Sequence, residues 1–207
     1  MVFPKTNLEI ARVFYNTETS HGSVRERVVA LWESAQTVSD LAALNAAYLS
    51  GVLPESPFYL GPPNEETDKI ADELIALTRA GFLTSGSQPF DDDADLPQKP
   101  FVDGLVPTRL AHAIREALRD TAFVYGIEGK DGALDSNAPL DKRGFFMVTR
   151  NFTYLGGRGR HWDEDILPVH KDLGIFDDHV YMWVAAREFG EREFPAARMI
   201  LAILDAD

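Results

Sequence analysis

The sequence contains no cysteine. This absence excludes disulfide bonds, zinc sites built on thiolates, iron–sulfur clusters and catalytic cysteine nucleophiles. A chain without cysteine fits the reducing cytosol, although many secreted proteins also lack this residue. From composition we predict a cytoplasmic protein.

Long hydrophobic runs are also missing. No apolar stretch approaches the roughly 20 residues that a membrane-spanning helix needs. The first residues, Met1-Val2-Phe3-Pro4-Lys5, do not pair a charged segment with an apolar core, so they do not resemble a signal peptide. The sequence therefore predicts a soluble protein with no membrane partner.

Positive charge is scarce, with 20 Lys and Arg against 33 Asp and Glu and a net charge of −13. Affinity for a phosphate backbone comes from Lys and Arg, so direct binding of nucleic acid is disfavoured. Two interpretations remain. In one, the acidic surface serves only solvation; in the other, the chain mimics nucleic acid and occupies a partner's basic groove. The densest acidic run is Asp91-Asp92-Asp93-Ala94-Asp95.

Length and composition indicate one globular unit. The chain has 207 residues, 45% of them hydrophobic and 26% charged, which are ordinary values for a folded domain. Residues 1–22 carry mixed signals and are interpreted as an N-terminal arm. Residues 23–207 are predicted to form the domain.

Helix-like and strand-like patterns alternate along that domain. Capping residues and three- or four-residue apolar spacing predict helices over residues 23–35, 39–50, 64–80, 108–120 and 180–189. Ser23, Ser39, Asn64 and Thr108 are the predicted N-caps, and Gly51 is a predicted C-cap. Strands are predicted over residues 82–84, 101–106, 122–127 and 144–150, with a polar turn after residue 84 and a loop over residues 52–63. The apolar run 199–204 fits either element. The expected class is α/β, with α+β possible, as a single mixed-sheet domain with flanking helices.

Motifs for metal, nucleophile or phosphate chemistry are weak. The five histidines, His21, His112, His161, His170 and His179, show no zinc-binding spacing, so no metal is predicted. Thr84-Ser85-Gly86-Ser87 does not match a nucleophile elbow. Gly156 to Arg160 is rich in glycine and arginine but lacks the Lys-Ser/Thr of a phosphate loop, and we interpret it as a turn.

Ordered pieces over residues 27–89 carry a family resemblance. They are Arg27 to Trp32, Asp40 to Leu44, Tyr48-Leu49-Ser50-Gly51, Glu66-Thr67, Glu73-Leu74, Gly81-Phe82-Leu83-Thr84 and Ser87-Gln88-Pro89. In order and spacing they resemble the C-terminal regulatory domain of eukaryotic methylenetetrahydrofolate reductase, which binds S-adenosylmethionine (SAM). Phe145 to Thr149 is similar to a strand of that domain, and Trp183 to Gly190 is similar to a later helix. The catalytic barrel and its flavin-binding region are absent from this sequence, so the resemblance implies no flavin and no reductase activity.

The resemblance implies a set of SAM-binding residues: Glu66, Thr67, Thr84, Ser85, Ser87, Gln88 and Thr149. Asn64, Glu65 and Gly86 are their neighbours, and Ser56 is a weaker match. Hydroxyl and backbone groups after a strand suit a carboxylate or an adenine edge, and a helix-end glutamate suits a ribose diol or an ammonium. From spacing alone, Glu66 could equally be a helix-dipole partner, and Thr84 with Ser87 a turn-stabilising pair.

The implied function is a stand-alone SAM-binding domain that acts as a sensor or interaction module, with SAM or S-adenosylhomocysteine as its ligand. The family's regulatory domain associates, so a homodimer is expected. Two alternatives stay open: an enzyme that consumes SAM by lyase or cyclase chemistry, with Glu66 or a histidine as base, and an acidic inhibitor of a nucleic-acid-handling protein.

Overall fold

A five-stranded antiparallel sheet forms the centre of the protein. The computed structural model describes residues 3–15, 23–57, 59–91, 97–149, 153–156 and 167–206. Within them the strands are β1 (Leu83–Gln88), β2 (Phe101–Pro107), β3 (Phe123–Glu128), β4 (Leu134–Ser136), β5 (Phe145–Met147), β6 (Tyr154–Gly156) and β7 (His179–Ala186). The sheet runs in the spatial order β1-β2-β7-β3-β4, and β5 pairs with β6 separately.

Helices cover both faces of the sheet. They are α1 (Asn7–Tyr15), α2 (Val24–Glu33), α3 (Val38–Leu49), α4 (Glu65–Asp68), α5 (Ala71–Arg79), α6 (Thr108–Ala117), α7 (Pro168–Asp172) and α8 (Ala196–Asp205). One buried cluster joins α1, α2 and α3 to the face that carries Leu105 and Trp183. A second joins α5, α6 and α8 to the face that carries Val106 and Val184. The prediction of one domain that combines helices with a sheet is confirmed, whereas the boundary between an arm and the domain stays a prediction.

The largest difference from the predicted secondary structure is at strand β7. Residues 180–189 were predicted as a helix, which is wrong, because β7 is a central strand paired with β2 and β3. Its side chains are buried on both faces, with one partly exposed exception at Val180. A strand buried on both sides is a continuous apolar run, and periodicity cannot distinguish such a run from a buried helix.

The predicted helix over residues 64–80 is two helices. Asn64 caps α4 as expected, and its Oδ1 accepts from the Thr67 backbone N–H at 2.8 Å. The prediction of one continuous helix is wrong because Ile70 has a φ of −128° and no helical geometry. Ile70 instead packs into the second buried cluster with Leu74 and Leu77, so the break allows α5 to pack on the sheet while α4 remains at the surface.

Two predicted N-caps are displaced, and besides Asn64 two further caps are confirmed. Thr37, not Ser39, caps α3 through a capping box with Asp40. Pro107 precedes α6, and the Thr108 hydroxyl donates to the Asp178 carbonyl at 2.7 Å instead of capping the helix. Ser23 forms the expected capping box with Glu26. Gly51 has the positive φ of 71° that a left-handed residue after a helix requires.

Strand β1 extends further than expected. The polar turn predicted after Thr84 is wrong, since Ser85 to Gln88 continue the strand along β2. The pairing register shifts between Thr84 and Gly86, as at a β-bulge, which changes the direction of side chains. Neighbouring β2 supplies the backbone partners, and this tertiary contact overrides a segment poor in strand-forming residues. The apolar run 199–204, left open above, belongs to helix α8.

Candidate ligand-binding cavity

A cavity of about 330 Å³ lies beside the edge strand β1. Its walls come from α2, α3, the loop after α3, α4, β1 and the segment from α7 to Phe176. Cavities that bind small molecules typically measure about 300–1,000 Å³, so this one matches the lower end of that range. It therefore has room for a compact ligand held by several separate parts of the chain.

Residues of β1 and α4 form the polar side of the cavity. Four residues predicted from the resemblance line it: Thr67, Thr84, Ser85 and Ser87. Asn64, Gly86 and Ser56, named above as neighbouring or weaker candidates, also line it. The cavity thus brings together hydroxyl groups from separate segments of the sequence, from Ser56 to Ser87.

Three predicted residues lie elsewhere. Glu66 belongs to α4 beside Thr67 but is not among the residues that line the cavity. Gln88 is the last residue of β1, and its Nε2 donates to Gln98 Oε1. Gln98 in turn forms a backbone bridge with Thr149. Gln98 therefore links Gln88 to Thr149. These residues lie at the end of β1 away from Thr84.

A partly buried hydrogen-bond network fixes Thr84. Asn45 on α3 donates from Nδ2 to the Thr84 carbonyl oxygen and to Thr84 Oγ1, both at 3.0 Å. Thr78 of α5, fully buried, lies with its hydroxyl 2.9 Å from Thr84 Oγ1. The network joins α3, α5 and β1 at the wall of the cavity, and it sets the direction of the Thr84 side chain.

Aromatic and aliphatic side chains form the remaining wall. Trp32, Leu41, Leu105 and Phe176 are buried members of the first core cluster that also line the cavity. Tyr48 lies with them, and its hydroxyl donates to the Gly61 carbonyl at 3.4 Å. Burial raises the pKa of Tyr48 to about 12, so this phenol stays neutral and remains a hydrogen-bond donor.

His170 is the buried imidazole of the cavity, with an exposed fraction of 2%. Its Nε2 lies 3.0 Å from the Trp32 carbonyl oxygen. A carbonyl can only accept, so Nε2 carries the proton. Burial is the main cause that lowers the pKa of His170; the Trp32 carbonyl and Glu33 act in the opposite direction. The ring is therefore neutral near pH 7, with Nδ1 as an acceptor.

The loop over residues 52–63, predicted from its prolines, closes one side of the cavity. Arg25 of α2 donates from its guanidinium to the carbonyl oxygens of Ser56 and Pro57. Ser56 Oγ accepts from the Tyr59 backbone N–H at 3.0 Å. These contacts hold the loop against α2 and place Ser56 and Tyr59 in the lining.

A family model and a curated relative each match more than half of this chain. A family model described as "Domain of unknown function (DUF6919)" matches residues 27–164. The chain belongs to this family. A curated relative, methylenetetrahydrofolate reductase 1 of Schizosaccharomyces pombe (strain 972 / ATCC 24843), is 27% identical over 131 residues, or 56% of this chain. The match spans 22% of the relative's length, so this DUF6919 protein is related at a distance to a minor part of that reductase.

The lining of the DUF6919 cavity is electrically neutral. Among the described residues, none that lines it carries a formal charge at neutral pH. Glu66, predicted to contact a ribose diol or an ammonium of the ligand, is not among the residues that line the cavity. The lining offers neutral hydrogen-bonding groups and aromatic faces.

Sequence reasoning missed three cavity residues of the DUF6919 protein. Asn45 is a polar residue between the apolar Leu44 and Ala46 of α3, a pattern that could have marked it. Tyr48 belongs to the quoted Tyr-Leu-Ser-Gly piece but was not named as a ligand contact. His170 gave no local signal, because its role depends on contact with Trp32, 138 residues earlier in the chain.

Other sequence features have limited structural counterparts. Within the described ranges, no cluster of three or more His, Asp or Glu side chains is arranged to hold a metal ion. His21, His161 and residues 157–160 of the Gly-Arg segment lie outside those ranges. His179 hydrogen-bonds Asp178 at 2.6 Å and lies in the sheet, away from the cavity lining. In the part of the chain that the structure describes, no helix is long and apolar enough to span a membrane.

Proposed function

We propose that this domain binds SAM or S-adenosylhomocysteine in the cavity beside β1 and acts as a sensor or interaction module. One observation carries the proposal: Thr67, Thr84, Ser85 and Ser87, chosen from the sequence by resemblance, line the same cavity. The distant relation to methylenetetrahydrofolate reductase 1 supports it. Glu66, Gln88 and Thr149 remain proposed contacts outside the lining.

The chemistry of the cavity is compatible with such a ligand. A ribose diol and an amino-acid carboxylate can exchange hydrogen bonds with Thr and Ser hydroxyls and with the backbone of an edge strand. An adenine ring can pack on aromatic and aliphatic side chains. SAM also carries a sulfonium charge, and cation–π attraction from Tyr48, Tyr59 or Trp32 could stabilise it without an acidic partner.

Calorimetric titration with SAM and S-adenosylhomocysteine tests the proposal. We expect the variant Thr84→Val, Ser87→Ala to bind each ligand at least about tenfold more weakly, since each lost hydrogen bond changes affinity by about 1 kcal/mol. Ser39→Ala, at an exposed serine of α3, is the control and should bind normally. Ser87→Ala alone leaves the Thr84 network intact and guards against misfolding. Absence of binding by the wild-type protein at millimolar ligand would reject the proposal.

A second candidate, consumption of SAM by lyase or cyclase chemistry, has one specific observation in its favour. His170 is a neutral imidazole with an unprotonated Nδ1 in the cavity lining, and such a group can act as a base. Incubation with SAM followed by mass spectrometry distinguishes the candidates. Formation of a new product that requires His170 supports the enzyme, and unchanged SAM after long exposure argues against it.

We also propose a cytoplasmic homodimer, on the strength of the resemblance alone. Light scattering coupled to size-exclusion chromatography measures the mass directly. A mass close to twice the 23.0 kDa of the chain is expected, and a monomer at all concentrations tested would contradict it.

A further inference from the structure

His170 lines the cavity, although the resemblance did not identify it, and its Nδ1 has a defined chemical requirement. The neighbouring Nε2 is committed to the Trp32 carbonyl at 3.0 Å. Nδ1 therefore carries a lone pair, and within the described residues no donor reaches it. His170 lines the cavity, so its Nδ1 can accept a hydrogen bond from a ligand that supplies a donor.

The surroundings of His170 restrict what that donor can be. Trp32, Leu41, Leu105 and Phe176 are buried, apolar and part of the same lining. A flat heterocycle suits these apolar walls, whereas a free ammonium would lose its hydration against them. The donor that fits is an amino group on an aromatic ring.

We propose that His170 determines base specificity, with its Nδ1 accepting a hydrogen bond from the exocyclic amino group of the ligand's adenine. The inference rests on the proposed function and deepens it, because it assigns the purine to the apolar end of the cavity. The ribose and the amino-acid portion then lie toward Thr67, Thr84 and Ser87. A purine that carries an oxygen in place of this amino group would put one acceptor opposite another, His170 Nδ1. Such a purine is rejected.

The neutral state of the imidazole supports this assignment. Burial lowers the pKa of His170, opposed by the Trp32 carbonyl and by Glu33. A protonated ring would donate from both nitrogens and would favour the oxygen-bearing purine instead. Near neutral pH the ring therefore selects the amino form.

Two ligands that differ at one position of the base test the inference: S-adenosylhomocysteine and its deaminated form, S-inosylhomocysteine. We expect wild-type protein to bind the adenosyl ligand at least about tenfold more tightly, a typical discrimination where a buried acceptor would otherwise be left unpaired. His170→Phe keeps a ring but removes both nitrogens, and the ratio of the two affinities should approach one. His170→Asn offers an amide oxygen close to the Nδ1 position, and part of the preference should return.

The outcomes separate the inference from the proposed function. If wild-type protein binds neither ligand, the proposed function fails and the inference fails with it. If wild-type protein binds both equally, or His170→Phe keeps the wild-type ratio, only the inference fails. If His170→Phe does not fold, the inference is tested by the ratio of the two affinities in His170→Asn and by NMR of labelled histidine. The Nδ1 resonance should shift on addition of the adenosyl ligand and not of the inosyl one, and an unchanged resonance would overturn the assignment.

Discussion

Replacing Asn45 by alanine removes the donor that fixes Thr84. Asn45 has an exposed fraction of 7%, and its Nδ2 lies 3.0 Å from both oxygen atoms of Thr84. The hydroxyls of Thr78 and Thr84 can still bond each other at 2.9 Å. The Thr84 carbonyl is then the acceptor that loses its side-chain donor. A buried group left without its partner costs about 1–3 kcal/mol, so we expect about 2 kcal/mol less free energy of unfolding.

Urea denaturation followed by circular dichroism measures that loss. With a denaturant slope of about 2–3 kcal/mol per molar, the midpoint should fall by about 0.7–1 M at unchanged slope. Ser39→Ala on the exposed side of the same helix should stay within about 0.5 kcal/mol of wild type. Asn45→Leu separates packing from hydrogen bonding, because it restores volume without restoring the donor.

The two Asn45 variants distinguish hydrogen bonding from packing. Asn45→Leu should be as destabilised as Asn45→Ala, and both should bind S-adenosylhomocysteine more weakly because Thr84 is no longer held. A midpoint for Asn45→Ala within about 0.2 M of wild type, equivalent to about 0.5 kcal/mol, would show that the network adds nothing to stability. Recovery of stability in Asn45→Leu would show that packing, not the hydrogen bonds, matters at this position.

Three further outcomes are expected. Gly126→Ala should lower stability by about 1–3 kcal/mol in a thermal melt, since a Cβ there would lie 2.3 Å from the Trp183 ring; a wild-type melting temperature would contradict this packing. Ser23→Ala should cost about 1 kcal/mol by removing the α2 capping box, and an unchanged urea midpoint would show that the cap is dispensable. Burial lowers the pKa of His170 and of His179 below the usual 6.5, so the unfolded chain binds more protons in acid, and stability should fall as the pH drops from about 7.5 to about 5.5. His170→Asn should flatten part of that dependence.

Local sequence signals predicted the helices well where capping chemistry was complete. Ser23 with Glu26, and Gly51 after α3, act as their sequence positions suggest. These features depend on residues within four positions of one another. They are therefore visible in the sequence without knowledge of the fold.

The errors arise where distant contacts decide the structure. Val180 to Ala186 form a strand because β2 and β3 flank them, and no local pattern contains that information. Ser85 to Gln88 are held in β1 by the same kind of pairing. The pairing of His170 with Trp32 depends on the fold in the same way. The hydroxyl side of the candidate site could be named from sequence resemblance, whereas its imidazole and amide could not.

The break between α4 and α5 separates two roles that a continuous helix would combine: forming the rim of the cavity and packing on the sheet. Helix α4 has no buried residue, while α5 buries Leu74, Leu77 and Thr78. Substitutions at exposed positions of α4 can therefore change the rim of the cavity without disturbing the packing of the sheet. A library confined to Asn64 to Asp68 should yield mostly folded proteins, and ligand preference could be selected at this short helix as an adjustable part of an otherwise fixed scaffold.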